Sequence, residues 1–164
     1  MHGSAGRVVR VAREVTHVDD LSTIDGLLTA MYDVISGPPG VEPDWERERL
    51  LFTPQAQLIP TRAGPDGELR IQVLTVEDYI RTRGPYLRDN AFYERQVSRH
   101  IEQRGHIAQV FSEYESSETA DGPPFVRGLN LIQLVFMQKR WWIQSILWEN
   151  DMEGATLPAS FPAA

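Results

Sequence analysis

The sequence contains no cysteine. This absence excludes disulfide frameworks, catalysis by a thiolate and zinc sites that depend on cysteine ligands. A chain of 164 residues is long enough to bury a hydrophobic core and fold as one domain without such crosslinks. We therefore expect a fold that is stabilised by ordinary side-chain packing.

Long apolar runs are also missing. No stretch approaches the ~20 apolar residues that a membrane-spanning helix needs. Residues 1–13 lack the continuous apolar core of a secretory signal peptide. We therefore expect a cytoplasmic protein with no membrane partner.

Positive charge is scarce in this chain. Lys and Arg number 16 against 23 Asp and Glu, which gives a net charge of -7 at pH 7. Nucleic acids are bound by basic surfaces that neutralise phosphates, so a nucleic-acid partner is not expected.

Motifs for metals and organic cofactors are absent from the sequence. No pair of histidines stands at metal-ligand spacing with a carboxylate. There is also no phosphate-binding loop, dinucleotide fingerprint or nucleophile elbow. We expect neither a bound metal nor a cofactor.

The hydrophobic period changes along the chain from helical to strand-like. Helical spacing of apolar residues, with turn residues between the segments, predicts helices near 22–36, 45–52 and 76–83. Gly84-Pro85 is expected to kink or end the third helix. Two short strands, 57–61 and 69–74, flank the turn sequence Gly64-Pro65-Asp66-Gly67.

The second half of the chain alternates with a period of two. It predicts four long strands in series with short connections, at 92–102, 107–116, 126–137 and 140–149. Together with the helices they predict an α+β fold, in which three N-terminal helices pack on a curved, mainly antiparallel sheet. The domain is expected to span 19–152, between an N-terminal arm (1–18) and an irregular tail (153–164).

The last two predicted strands are apolar on both faces. A two-residue loop at Gln138-Lys139 puts Asn130, Ile132 and Leu134 on one face with Trp141, Ile143, Ser145 and Leu147. A solvated antiparallel sheet alternates instead, so the second face needs a cover. We expect a homodimer through that outer face; the alternative is an intramolecular cover by the chain termini. The expected interface residues are Gln133, Trp142, Ile146 and Trp148.

The order and spacing of several segments resemble one known superfamily over residues 20–150. These segments are Tyr32-Asp33-Val34-Ile35-Ser36-Gly37, Phe92-Tyr93-Glu94-Arg95, His106-Ile107-Ala108-Gln109-Val110-Phe111-Ser112, Tyr114-Glu115-Ser116, Arg127-Gly128-Leu129-Asn130, Ile132-Gln133-Leu134 and Arg140-Trp141-Trp142-Ile143. The chain resembles an uncharacterised bacterial branch of the SnoaL-like, or nuclear-transport-factor-two-like (NTF2-like), superfamily. The resemblance implies a cone-shaped fold, a pocket between sheet and helices, and frequent dimers through the sheet. It implies no single activity, because members include isomerases, cyclases, dehydratases, epoxide hydrolases and binding or association domains.

A ligand pocket is predicted between the helices and the sheet. An apolar wall with a few polar groups is the usual composition of such a site. The candidate ligand-binding residues are Tyr32, Trp45, Tyr79, Asn130 and Ser145. The alternative is that the aromatic residues are ordinary core and that the polar ones bond to nearby backbone, and it is favoured for Phe52 and Ser145.

Three titratable residues are candidates for acid–base chemistry: His100, Glu94 and Glu149. His100 lies near a hairpin end, where a two-residue loop at Arg104-Gly105 places Gln109 opposite it and a three-residue loop places Ala108 there. The alternative for His100 and Glu94 is an exposed side chain without a chemical role.

Two functions remain open from the sequence. The first is a binding module that holds an apolar small molecule in the pocket, without catalysis. The second is a cofactor-independent isomerase, dehydratase or cyclase that uses a pocket acid or base. A pocket acid or base with a perturbed pKa, within reach of hydrogen-bond donors, would favour the enzyme.

Overall fold

The computed structural model describes residues 20–151. The predicted N-terminal arm and most of the predicted tail lie outside these residues. The elements in chain order are α1 (Ile24–Val34), α2 (Trp45–Leu51), β1 (Phe52–Ala63), β2 (Leu69–Ile71), α3 (Val76–Asp89), β3 (Tyr93–Arg104), β4 (Ile107–Ser117), β5 (Pro124–Met137) and β6 (Arg140–Asn150).

The described strands form one six-stranded sheet with the order β2-β1-β6-β5-β4-β3. Strands β3 to β6 are an antiparallel meander, and β1 forms a hairpin with β2. Strand β1 runs parallel to β6, which joins the hairpin to the meander. The expected α+β class and the mainly antiparallel sheet are confirmed. The expectation of three N-terminal helices is not, because α3 follows β1 and β2 in the chain.

Helix α3 continues through Gly84-Pro85 instead of ending there. Thr75 and Asp78 form a capping box at its start, and the helix extends to Asp89. Gly84 faces Trp45, and a Cβ at this position would lie 3.2 Å from the indole Cζ2. The glycine therefore permits close packing of α3 on the start of α2, and this tertiary contact outweighs the local tendency to stop.

The two hairpin turns of the meander differ in how well the sequence predicts them. Gln138 and Lys139 both have positive φ, 55° and 63°, so the predicted two-residue loop with Met137 opposite Arg140 is correct. The other turn consists of Gly105 and His106, one residue later than predicted. Its shifted register pairs His100 with Phe111, so both predicted partners are wrong.

A bulge in β6 reverses the predicted faces of that strand. Ile143 pairs with Leu134 but Ser145 pairs with Gln133, so Gln144 is the extra residue between them. Beyond the bulge, Ile146 and Trp148 lie on the helix-facing side and Ser145 lies on the outer side. The predicted outer-face positions of Ile146 and Trp148 and the predicted inner position of Ser145 are therefore wrong.

The core lies between the helices and the inner face of the sheet. Strand residues of this face that are almost fully buried include Val110, Ile132 and Ile143. They pack in one cluster with the buried apolar residues of the helices, among them Leu27, Leu28 and Leu51. The packing of these elements leaves a cavity at one end of the inner face.

Candidate functional site

A cavity of about 750 Å³ lies between the helices and the inner face of the sheet. All three helices contribute to it, together with β1 to β6 and the short segments that connect them. Its apolar walls include Met31, Phe52, Leu58, Phe92, Ile146 and Trp148. Its buried or half-buried polar and charged lining includes Glu48, Tyr79, Arg83, Glu94, Tyr114 and Asn130.

Glu94 is a carboxyl group held at the wall of this cavity. Its backbone N–H donates to the Ser36 hydroxyl at 3.0 Å, which attaches the start of β3 to the end of α1. The Ser116 hydroxyl, opposite it on β4, donates to Glu94 Oε2 at 2.9 Å. Burial raises the pKa of Glu94 to about 7, although the Ser116 hydrogen bond and the charge of Arg83 oppose this rise. Glu94 therefore exists in both protonation states near neutral pH.

Glu48 is a second carboxyl group in the cavity and is more deeply buried. Only 2% of its surface is exposed, and its Oε2 has no hydrogen-bond partner within residues 20–151. Burial raises the pKa of Glu48 to about 8, and the charge of Arg47 opposes this rise only in part. The carboxyl group is therefore mainly protonated at neutral pH.

Two aromatic rings meet beside these carboxyl groups. The ring centroids of Tyr79 and Trp148 are 6.4 Å apart in an edge-to-face arrangement. Burial and the charges of Glu48 and Glu94 raise the pKa of Tyr79, while Arg83 opposes them. The phenol therefore stays neutral and presents a hydroxyl group together with a ring face.

A buried hydrogen-bond network lies at the base of the cavity. The Tyr32 hydroxyl is 2.6 Å from the Ser112 hydroxyl, and the Asn130 side-chain amide donates to Tyr32 at 3.1 Å. The Gln96 amide also donates to Ser112. Burial raises the pKa of Tyr32 to about 12, although its two hydrogen bonds oppose the rise. Asn130 lines the cavity, so Tyr32 acts behind it by fixing the orientation of the amide.

Several solved structures of bacterial proteins are similar to this one in fold. A protein of unknown function with a cystatin-like fold from Nostoc punctiforme is similar with a TM-score of 0.60 at 15% identity, over 78% of this chain and 88% of that one. An NTF2-like protein of unknown function from Methylobacillus flagellatus is similar with a TM-score of 0.54 at 15% identity, over 82% and 94% of the two chains. This chain has the NTF2-like fold. The fold expected from the sequence resemblance is thus confirmed.

A third similar structure carries a more specific description. It is a putative Ca/calmodulin-dependent kinase II association domain from Exiguobacterium sibiricum, with a TM-score of 0.55 at 13% identity over 79% of this chain and 91% of that one. No protein-family model and no curated protein matches the sequence. At these identities the similarity establishes the NTF2-like fold and carries no activity with it.

The cavity contains part of the ligand-binding set predicted from the sequence. Tyr79, Asn130 and the core candidate Phe52 line it, and Tyr32 touches Asn130 from behind. Trp45 packs on Gly84 of α3 instead, and its indole N–H donates to Glu42. Ser145 lies on the outer face and donates to Gln133 at 2.8 Å.

The three predicted acid–base candidates differ in burial and in their position relative to the cavity. Only Glu94 is a half-buried group in the cavity wall. His100 lies on the outer face, where its Nε2 is 3.3 Å from Glu102 Oε1 and its ring is near Phe111. Glu149 is exposed at the edge of the cavity.

Sequence reasoning missed Glu48 as a cavity residue. The signal for it is its position three residues before Leu51, which places both on the same face of α2. Leu51 is fully buried, whereas Leu50 is 58% exposed, so the face that carries Glu48 points inward. The alternation of charges in Trp45–Leu51 hides this pattern, because it resembles that of a solvated helix.

Two further observations concern metals and membranes. Within residues 20–151, no three histidine, aspartate or glutamate side chains converge in a way that could hold a metal ion. No helix in the same part of the chain is long and apolar enough to span a membrane.

Proposed function

We propose that this protein binds a small, largely apolar molecule in the cavity between the helices and the sheet. The observation that carries the proposal is the cavity itself, with its apolar walls and few buried polar groups. Its volume of about 750 Å³ is within the range of about 300–1,000 Å³ that is usual for small-molecule sites. Hydrophobic burial supplies the affinity for such a ligand, and the polar groups select its orientation.

The interior polar groups support a binding role because they are held in place. Asn130 is fixed by Tyr32, and Glu94 is fixed by Ser116 and by the backbone contact with Ser36. Preorganised groups lose little conformational entropy when they meet a ligand. This lining fits a ligand that has an apolar body and one or two polar atoms.

The test is the binding of the neutral apolar dye Nile red, measured by fluorescence. Thr82 is exposed on α3 and lines the cavity, so the indole introduced by Thr82→Trp narrows the opening and should weaken dye binding by roughly tenfold or more. Arg81→Trp on the same helix is the control. Arg81 points to solvent and pairs with Asp78, and this variant should bind the dye like the wild type. Equal binding by both variants would place the dye elsewhere and contradict the proposal.

A second candidate function is cofactor-independent acid–base catalysis of an isomerisation, dehydration or cyclisation. The observation that favours it is Glu94, whose pKa of about 7 is suited to proton transfer near neutral pH. A general test is the exchange of α-protons of apolar ketones in deuterated water, followed by NMR. Catalysed exchange that rises with pH through about 7 and disappears in Glu94→Gln would support it. Exchange that is unchanged in Glu94→Gln would rule out Glu94 as the base.

A homodimer through the outer sheet face is also part of the proposal. Gln133 and Trp142 lie on this face, as the sequence predicts, whereas Ile146 and Trp148 do not. An apolar row crosses the face from Ile59 through Leu147 and Leu131 to Phe111. Contiguous apolar surface of this kind marks interfaces more often than solvated faces.

A further inference from the structure

We propose that the cavity is selective for organic amines, and that Glu48 is the counter-ion of the ligand's ammonium group. This inference rests on the proposed binding function and adds the chemical class of the ligand. It starts from a carboxyl group that the fold buries in the cavity wall without giving Oε2 a hydrogen-bond partner within residues 20–151. Such a group is costly in a folded protein, and a ligand that satisfies it gains the corresponding interaction.

Glu48 differs from the other interior carboxyl group in what surrounds it. Glu94 accepts a hydrogen bond from Ser116, and Arg83 supplies a positive charge near it. The cation whose charge acts on Glu48 is Arg47, which forms an ion pair with Asp33 at 2.6 Å. The charge of an ionised Glu48 is therefore incompletely balanced by the protein, and an ammonium group in the cavity would balance it.

The aromatic lining also favours a cation. Tyr79 senses the charge of Glu48 and lies edge-to-face with Trp148, and both rings line the cavity. Ring faces attract ammonium groups through their quadrupoles, and the attraction is stronger in desolvated sites. The carboxyl group of Glu48 and the two rings therefore suit a ligand with an ammonium group on an apolar body better than a ligand with a carboxylate.

The pH dependence of amine binding follows from the groups around Glu48. An amine with the pKa of about 10 of an alkylammonium stays charged at neutral pH, but it must meet an ionised Glu48. Protonation of Glu48, with its pKa of about 8, competes with binding. Within residues 20–151, the charged or titratable side chains that line the cavity or act on Glu48 are Arg47, Arg62, Tyr79, Arg83, Glu94, Tyr114 and Glu149, and Asp33 pairs with Arg47.

The experiment compares two probes of nearly equal size, 4-phenylbutylamine and 4-phenylbutanol, by displacement of Nile red. The amine should bind more tightly than the alcohol at pH 8, and its affinity should fall roughly tenfold per pH unit below the pKa of Glu48. The affinity of the alcohol should change little with pH. Calorimetry at pH 7 in two buffers should show release of nearly one proton for each amine bound and none for the alcohol.

Glu48→Gln removes the titrating group and should abolish both the preference for the amine and the proton release. Glu46→Gln, on the exposed side of the same helix and outside the cavity lining, is the matched control and should retain both. Equal displacement by amine and alcohol in the wild type would overturn the amine proposal and leave the binding function standing. Failure of Nile red to bind would count against the binding function itself. If Glu48→Gln does not fold, the proton count on the wild type still decides, because binding of the amine without proton release contradicts the proposal.

Discussion

Glu48 and Glu94 are carboxyl groups that the fold moves out of water, and this makes them sensitive to pH. An unfolded chain ionises a glutamate near its ordinary pKa of about 4.3, whereas burial raises the pKa to about 8 for Glu48 and about 7 for Glu94. Between these values the folded state binds more protons than the unfolded state. The free energy of unfolding must then fall as pH rises.

This linkage predicts lower stability at pH 8 than at pH 5. Glu48 alone should lower the free energy of unfolding by on the order of 3 to 4 kcal/mol over that interval. Urea unfolding of the wild type at both pH values measures the difference, and Glu48→Gln should reduce it by that amount. Glu68→Gln, at an exposed loop glutamate, is the control and should leave it unchanged. Equal pH dependence in wild type and Glu48→Gln would mean that Glu48 is not buried as described.

The sequence predicts some cavity residues and not others for physical reasons. Tyr79 and Asn130 follow from the period of their elements, and Glu94 precedes the register shift between Gln96 and Ser98 in β3. Glu48 belongs to a seven-residue helix, too short for its charges to reveal which side is buried. Trp45 is excluded from the cavity by its close contact with Gly84, and such a contact depends on helix packing that local patterns do not encode.

At the scale of elements, one extra residue in β6 decides which of Trp142 and Trp148 lines the cavity. Gln144 is bulged out of the pairing with β5, and its side chain accepts a hydrogen bond from Thr53 at 2.9 Å. A bulge shifts all later residues of the strand to the other face. The predicted bounds of β6, 140–149, are close to those of the structure. The assignment of its residues to the two faces is wrong after Ile143, because strict alternation holds only for a strand without a bulge.

The bulge makes a prediction about tryptophan fluorescence. Trp148 lies in the cavity beside Tyr79, whereas Trp142 lies on the outer face with Arg140 stacked on its ring. Binding of 4-phenylbutanol should change the intrinsic fluorescence of the wild type and of Trp142→Phe. The change should be largely lost in Trp148→Phe. A signal that survives Trp148→Phe and disappears in Trp142→Phe would place the ligand on the outer face.

At the scale of the whole molecule, the two faces of the sheet differ within residues 20–151. The helices cover the inner face, while the outer face carries the apolar row of Ile59, Leu147, Leu131 and Phe111, in which Leu147 is exposed and the others are half-buried. Strand β5 is apolar on both faces, as the sequence predicts. On β6 the bulge moves Ile146 and Trp148 to the inner face, so fewer apolar residues of this strand lie on the outer face. This surface is the basis of the proposed homodimer.

The dimer proposal predicts that a charge in the centre of this row separates the subunits. Leu131 is half-buried in the single chain, so Leu131→Glu should be tolerated by the fold but not by an apolar interface. Sedimentation at micromolar concentration should show a dimer for the wild type and a monomer for this variant. Val73→Glu is the control, because Val73 is exposed between β2 and α3, and it should remain dimeric. A monomeric wild type would contradict the proposal.

The most direct test of the ligand site is a crystal structure of the protein grown with 4-phenylbutanol. We predict that the probe lies between the helices and the inner sheet face, with its apolar part against Phe52, Ile146 and Trp148. A second groove exists on the outer side, lined by Ile107, Val135 and Met137 among others. A probe found in that groove, with none between the helices and the sheet, would contradict the assignment of the cavity as the binding site.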